Sequence, residues 1–172
     1  MAFIINLLWT SRGYKREKME KIYRPNVAVI VLSAEYPKKK DVFIAERTDI
    51  NNSWQFPQGG IDEGESAEEA LFRELEEEIG TCDVRIISEY PEWISYDFPL
   101  HIAKKMKPYA GQTQRYYLVQ LNEGARINLE TEIPEFSDHK FVNFSDLSEY
   151  IAHFKRPVYE KVLSYFKEEG FF

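Results

Sequence analysis

Three features of the chain predict an α/β fold in which a mixed sheet lies between helices. Val27-Ala-Val-Ile-Val-Leu32 is an unbroken, largely β-branched run of the kind that fills a central strand covered on both faces. Ala67 to Ile79 reads as a capped helix, and Pro157 to Lys167 as a second helix with one apolar face. Short strand signals separate the two, and strands interleaved with two or three helices in 172 residues suit a helix-covered sheet.

After the first strand, a polar loop with Pro37 and Lys38-Lys39-Lys40 leads to a strand at Val42-Phe-Ile-Ala45, with Arg47 at its mouth. Thr48 to Gly60 reads as a loop in which Trp54 and Phe56 brace the glycines that follow. Ser66-Ala-Glu-Glu69 is a capping box, in which hydroxyl and carboxylate reciprocally satisfy the free N–H groups of a helix start, and Gly80 is a left-handed stop. Leu71, Leu75 and Ile79 form the apolar stripe between them, with Ala67 at its edge. Val84 to Tyr90 and Trp93 to Phe98 read as strands parted by Pro91. His101 to Gly111 reads as a basic, turn-rich loop carrying Lys104, Lys105 and Lys107. Gln114 to Leu121 is a Tyr-rich strand with imperfect alternation. Phe136 to Phe144 is a further strand and Asp146 to Ala152 a short helix. Pro157 opens the terminal helix, whose apolar face is Val158, Val162, Tyr165 and Phe166.

At 172 residues, 44% apolar and 15% aromatic, the chain is long enough to bury one core, read as a single domain over 21–172, and no internal repeat is visible. The net charge of −7 argues against the broad basic surface of a general nucleic-acid binder. A lone Cys82 excludes an intrachain disulfide and a thiolate metal cluster, which fits a reducing cytoplasm. Residues 1–20 stand apart as an N-terminal extension: Ala2 to Trp9 is apolar apart from Asn6, too short to span a bilayer, and followed rather than preceded by positive charge. Three readings stay open for it: Met19 as the native start, which is favoured, then a docking or oligomerisation arm, or a tail.

The chemistry concentrates in Gly59 to Thr81. Glu74, Glu77 and Glu78 stand at i, i+3 and i+4 on the helix, where like charges repel by about 0.2–0.5 kcal/mol per exposed pair. A divalent cation reverses that sign, because hard carboxylate oxygens on one side of a helix are the ligands Mg²⁺ or Mn²⁺ prefers. The competing reading is a solvated, salt-laced face with Arg73 as partner.

This stretch resembles the Nudix box, G-x5-E-x7-R-E-U-x-E-E-x-G-U with U a bulky aliphatic. Gly59, Glu65 and Arg73-Glu74-Leu75-Glu76-Glu77-Glu78-Ile79-Gly80 match it, and Thr81 departs at a position that packs and does not ligate. The flanks, Tyr23-Arg-Pro-Asn-Val27, Trp54-Gln-Phe-Pro-Gln-Gly-Gly60, Pro134-Glu-Phe136, Phe154-Lys-Arg156 and Val158-Tyr159, resemble the branch of bacterial RNA 5′-pyrophosphohydrolases and dinucleoside-polyphosphate hydrolases. Together the two resemblances cover Ile22 to Phe166.

The resemblance implies an α/β/α sandwich and a Mg²⁺-dependent hydrolase, with Mn²⁺ or Zn²⁺ as substitutes. It implies Glu74, Glu77, Glu78 and Glu135 as metal-binding and catalytic residues, with Glu78 or Glu135 as the base. An ordinary exposed acid is the alternative for Glu135. Arg73 is expected to orient a box glutamate such as Glu65, and a carbonyl near Gln58 or Gly59 to complete the metal shell. Arg24, Arg47, Ser53, Phe154 and Lys155 match positions that hold the triphosphate and the first bases. Arg24 and Lys155 suit phosphate, and Arg47 offers a flat guanidinium for base stacking. Each cation also reads as a plain surface charge, and Phe154 as core. His101, His139 and His153 receive no role. The implied substrate is 5′-triphosphorylated RNA or a dinucleoside polyphosphate. The implied protein is a cytoplasmic monomer without a membrane, with an activating protein partner left open. A fold that kept nucleotide binding and lost catalysis would be expected to lose box glutamates, and all are present.

Overall fold

The computed structural model describes residues 20–151 and 154–172. The sequence readings for the N-terminal extension and for His153 fall outside the described residues, apart from Glu20.

One mixed sheet of eight strands carries the fold: β1 (Tyr23–Leu32), β2 (Asp41–Arg47), β3 (Trp54–Gln55), β4 (Gln58–Gly60), β5 (Val84–Glu89), β6 (Ile94–Asp97), β7 (Gly111–Leu121) and β8 (Phe136–Asn143). Its spine is β3-β2-β1-β7-β5, with β4 on β1, β6 on β7 and β8 on β2. Among the described strands β1 and β7 form the parallel pair, in register from Tyr23↔Gly111 to Leu32↔Gln120. The helices are α1 (Ala67–Ile79), α2 (Leu100–Lys105) and α3 (Arg156–Glu168), with a 3₁₀ turn at Phe144–Glu149.

The β-branched run in β1 is apolar throughout because both its faces are covered. Val27, Val29 and Val31 pack with Leu71, Leu75 and Ile79 of α1, and Ala28, Ile30 and Leu32 with Val158, Val162 and Phe166 of α3. All six of these β1 side chains are fully buried. The pleat sends alternate residues to opposite cores, which makes the sheet the middle layer of an α/β/α sandwich.

The sheet parts at one end, and the parting builds the site. Along one edge of β1, Asn26, Val27 and Ala28 pair with β4, whereas Leu32 pairs with β2. β4 is therefore wedged between β1 and the end of β2, and it leads directly toward α1.

Four local readings change. The 48–60 stretch holds the short strands β3 and β4, tied down by Val29 N–H donating to Pro57 O at 2.9 Å. The basic loop starts as a helix, α2, because Pro99 opens a run of helix-compatible residues before Pro108. β7 begins at Gly111, and its imperfect alternation arises because Gln112, Gln114 and Gln120 are buried. The short helix near 146 is a 3₁₀ turn beginning at Phe144, capped by Asn143, whose Oδ1 accepts from Ser145 N.

Candidate active site

α1 presents the acids because its ends are pinned. Glu69 N–H donates to Ser66 Oγ, Ser66 N–H donates to Glu69 Oε2, and Gly80 takes φ +68°. A Cβ on Gly80 would collide with the Asn128 carbonyl, so this stop requires glycine for space as well as conformation.

Arg73 is the hub of the box. Its Nε and Nη2 donate to the two oxygens of Glu65 at 2.7 and 2.9 Å, and Nη2 also donates to Gly60 O at 2.8 Å. Nη1 donates to Glu74 at 2.8 Å and to Glu77 at 3.2 Å. The guanidinium holds the Glu65 carboxyl down to about 2. Arg73 thus neutralises part of the acidic face, as the solvated-face reading of the helix supposed, and it also ties α1 to β4.

Glu78 is outside its reach. This side chain is 2% exposed; Oε2 accepts from Gln58 N–H at 2.8 Å, and Oε1 is buried without a partner among the described residues. Burial pushes its carboxyl well above the usual range, and the charge of Glu135 pushes further. Glu74, also buried, is raised by burial against the pull of Arg73. Glu77 stays exposed, and Glu135 lies in the exposed segment just before β8, where its own carbonyl accepts from Thr48 N–H at 2.9 Å.

β4 crosses directly over these acids. A Cβ on Gly59 would occupy the place of the Glu74 carboxylate, and one on Gly60 would meet the Arg24 guanidinium. The paired glycines let backbone, acid and cation approach one another where any side chain would intrude.

The cations and aromatics face the acids from the other elements. Lys155, 6% exposed, donates from Nζ to Gln55 Oε1 at 2.7 Å and to Gln58 Oε1 at 3.0 Å. Burial, then the charge of Arg47, depresses its ammonium to about 7, with Glu78 opposing. Arg47 forms a two-pronged pair with Asp49, both contacts at 2.7 Å, which leaves the guanidinium flat and oriented. Ser53 O receives Arg47 N–H at 3.0 Å, which holds the two residues beside each other. Phe154, 36% exposed, sits 6.0 Å from the Tyr96 ring and within 5.9 Å of Lys155 Nζ, at the surface lip of this cluster rather than in the core.

Sequence reasoning passed over a buried polar floor. Gln114, fully buried, donates to Asn26 Oδ1 at 2.7 Å and accepts from Tyr116 OH at 2.6 Å; Tyr96 OH donates to Gln112 at 2.6 Å. Gln58 joins this floor to Lys155. Its signal was the pair of glutamines interrupting the alternation of β7, since buried amides in a strand need partners.

The residues present suit a divalent cation. Among the described residues no three ligating side chains enclose an ion as they stand, because Arg73 draws Glu74 and Glu77 to itself. The orphaned Glu78 oxygen, which Arg73 does not meet, and the glycine cradle beside Glu74 nevertheless leave buried carboxyl oxygens that a cation could engage. Carboxylates facing lysine and arginine in this way are what metal-assisted hydrolysis of a phosphoanhydride calls for.

A NUDIX domain model matches residues 22–162, and the chain belongs to the Nudix hydrolase family, whose members generally use divalent metal ions. Its sequence relatives are more particular. It is 65% identical over 153 residues to an RNA pyrophosphohydrolase of a Nitratiruptor species, covering 89% of this chain and 99% of that protein. It is 61% identical over 152 residues to an RNA pyrophosphohydrolase of Campylobacter jejuni, covering 88% and 97%. Its fold is similar to that of the E. coli dihydroneopterin triphosphate pyrophosphohydrolase, with a TM-score of 0.65 at 18% identity over 84% of this chain and 99% of that one. No helix among the described residues is long and apolar enough to cross a membrane.

Proposed function

We propose that the chain is a Mg²⁺-dependent RNA 5′-pyrophosphohydrolase. It removes pyrophosphate, or phosphate stepwise, from a triphosphorylated RNA end and leaves the monophosphate that marks the RNA for decay in the cytoplasm. The observation that carries this reading is Glu78, a buried carboxylate with one oxygen unsatisfied, facing a wall of Lys155 and Arg47. The relatives named RNA pyrophosphohydrolase support the RNA end as substrate.

Glu74, Glu77, Glu78 and Glu135 would hold the metal, with Mn²⁺ or Zn²⁺ as substitutes; bound there, it supplies neutralisation of phosphate charge and a more acidic water. Arg73 fixes Glu65 and Glu74, and so keeps β4 against α1. Arg24 and Lys155 pair with phosphate oxygens, and Arg47, Phe154 and Ser53 receive the first base. Either Glu78, whose carboxyl is raised by burial, or Glu135 would take the proton of the attacking water. A monomer suffices for every one of these contacts.

Comparing kcat/KM on triphosphorylated RNA and on diadenosine tetraphosphate tests the assignment, since the same pocket accepts the polyphosphate of a dinucleoside. The RNA is expected to be preferred. A preference for the dinucleotide by orders of magnitude would replace the RNA assignment with dinucleoside-polyphosphate hydrolysis.

A further inference from the structure

α2 has no part in the core: none of its residues is buried, and Leu100 is 83% exposed. Its base is tied down where Phe98 N–H donates to Ala110 O and Ala110 N–H donates to Ile22 O, while Ile102, Ala103 and Met106 are half-buried. Lys104, Lys105 and Lys107 all face solvent, and none forms an ion pair among the described residues. Three uncompensated cations within four residues stand out on a chain of net charge −7.

Their position relates them to the pocket. Phe154 on the lip lies 6.0 Å from Tyr96, and Tyr96 lies 6.0 Å from Phe98, which leads into α2. On the other side, the Asp49 carboxyl is held low first by Arg47, and the charge of Lys105 also reaches it. The lysines therefore continue a path that runs from the acids of α1 past Lys155, Phe154, Tyr96 and Phe98.

We propose that α2 is a phosphodiester clamp, in which Lys104, Lys105 and Lys107 grip the RNA strand just downstream of its first bases. The inference rests on the proposed function. It deepens it by naming what distinguishes a polynucleotide end from a dinucleoside polyphosphate. Both deliver a polyphosphate and a base to the pocket, but only the polynucleotide carries successive phosphodiester charges outward along α2. Each such contact releases counterions, so it strengthens RNA binding in a salt-dependent manner.

The test replaces all three lysines (Lys104→Gln, Lys105→Gln, Lys107→Gln) and measures kcat/KM over a range of salt on a short triphosphorylated RNA and on diadenosine tetraphosphate. At low salt the RNA value is expected to fall about fivefold or more, and the log–log salt slope to become shallower by roughly 0.7 per lost contact. The dinucleotide value stays unchanged, and the triple Lys→Arg variant restores the RNA value. An unchanged RNA value and slope, or a parallel loss on both substrates, overturns the clamp while leaving the RNA assignment standing. Failure of that assignment shows separately, as wild-type protein that does not turn over RNA.

Discussion

Glu78 Oε2 accepts the Gln58 amide proton at 2.8 Å, while Oε1 of the same carboxylate is buried and meets no donor among the described residues. One hydrogen bond from β4 orients the acid and half of it is left for something else. Between the ordinary carboxyl value and its raised one, the folded protein holds a proton that the unfolded chain has lost. Metal-free stability therefore falls as pH rises through that window, and a bound cation reverses the loss. Glu78→Gln is expected to lower kcat by about 10²–10⁴-fold. In chelator its melting temperature equals or exceeds that of wild type, and the rise that Mg²⁺ gives wild-type protein is absent. A variant that turns over normally, or still gains stability from Mg²⁺, would remove Glu78 from the site.

Gly59 faces Glu74 so closely that a methyl group would displace the carboxylate. Gly59→Ala should fold, since its pairing with Val27 uses backbone alone. Displacing the acid by about 1 Å is expected to lower kcat by roughly 10²-fold. Steady-state kinetics beside a far-UV spectrum check this: full activity in a folded Gly59→Ala protein would show that the cradle has no catalytic part.

Lys140 Nζ stands 3.8 Å from the Trp54 ring centroid and 4.4 Å from that of Tyr150, joining β8 and β3 to the segment that leads to Phe154 and Lys155. Trp54 also bridges to Ile151. A positioning role for this cage would show in binding rather than in turnover. Lys140→Met is expected to cost about 0.5–2 kcal/mol in urea unfolding and to raise KM several-fold with kcat retained. Lys140→Arg should restore both. A KM that stays at the wild-type value would confine the cage to a structural role.

The capping box, Gly80 and the apolar stripe of α1 were legible because helix ends and periodicity are local properties of the chain. The β-branched run of β1 was legible for the same reason, and its two-sided burial set the sandwich. The polar floor of Asn26, Gln112 and Gln114 was not, because a buried amide declares itself only when its partner strand is known. β3 and β4, at two and three residues, are too short to show a period. Arg73 was expected to orient one glutamate and in fact touches three, a branching that spacing along the helix reveals only for Glu77. The wheel also placed Glu77 with its neighbours, yet packing buries Glu74 and Glu78 and leaves Glu77 in water.

Lys155 supplies the clearest dependence on pH. Burial and the charge of Arg47 hold its ammonium near 7, so in the free protein it is charged below that value and neutral above it. A polyphosphate needs the charged form, and kcat/KM on triphosphorylated RNA is expected to fall on the alkaline side by up to about tenfold per pH unit. Lys155→Met, neutral throughout, should start lower, lack this alkaline limb and converge with wild type at high pH. Folding gives an independent readout. From about pH 7 to the ordinary lysine value of 10.5, the unfolded chain carries a proton that the folded state has shed, so ligand-free wild type gains stability with rising pH. The Lys155→Met protein lacks that gain, and urea titrations at intervals across the window measure the difference. Parallel pH profiles for the two proteins, in rate and in stability, would show that the Lys155 ammonium is neither depressed nor engaged with the substrate.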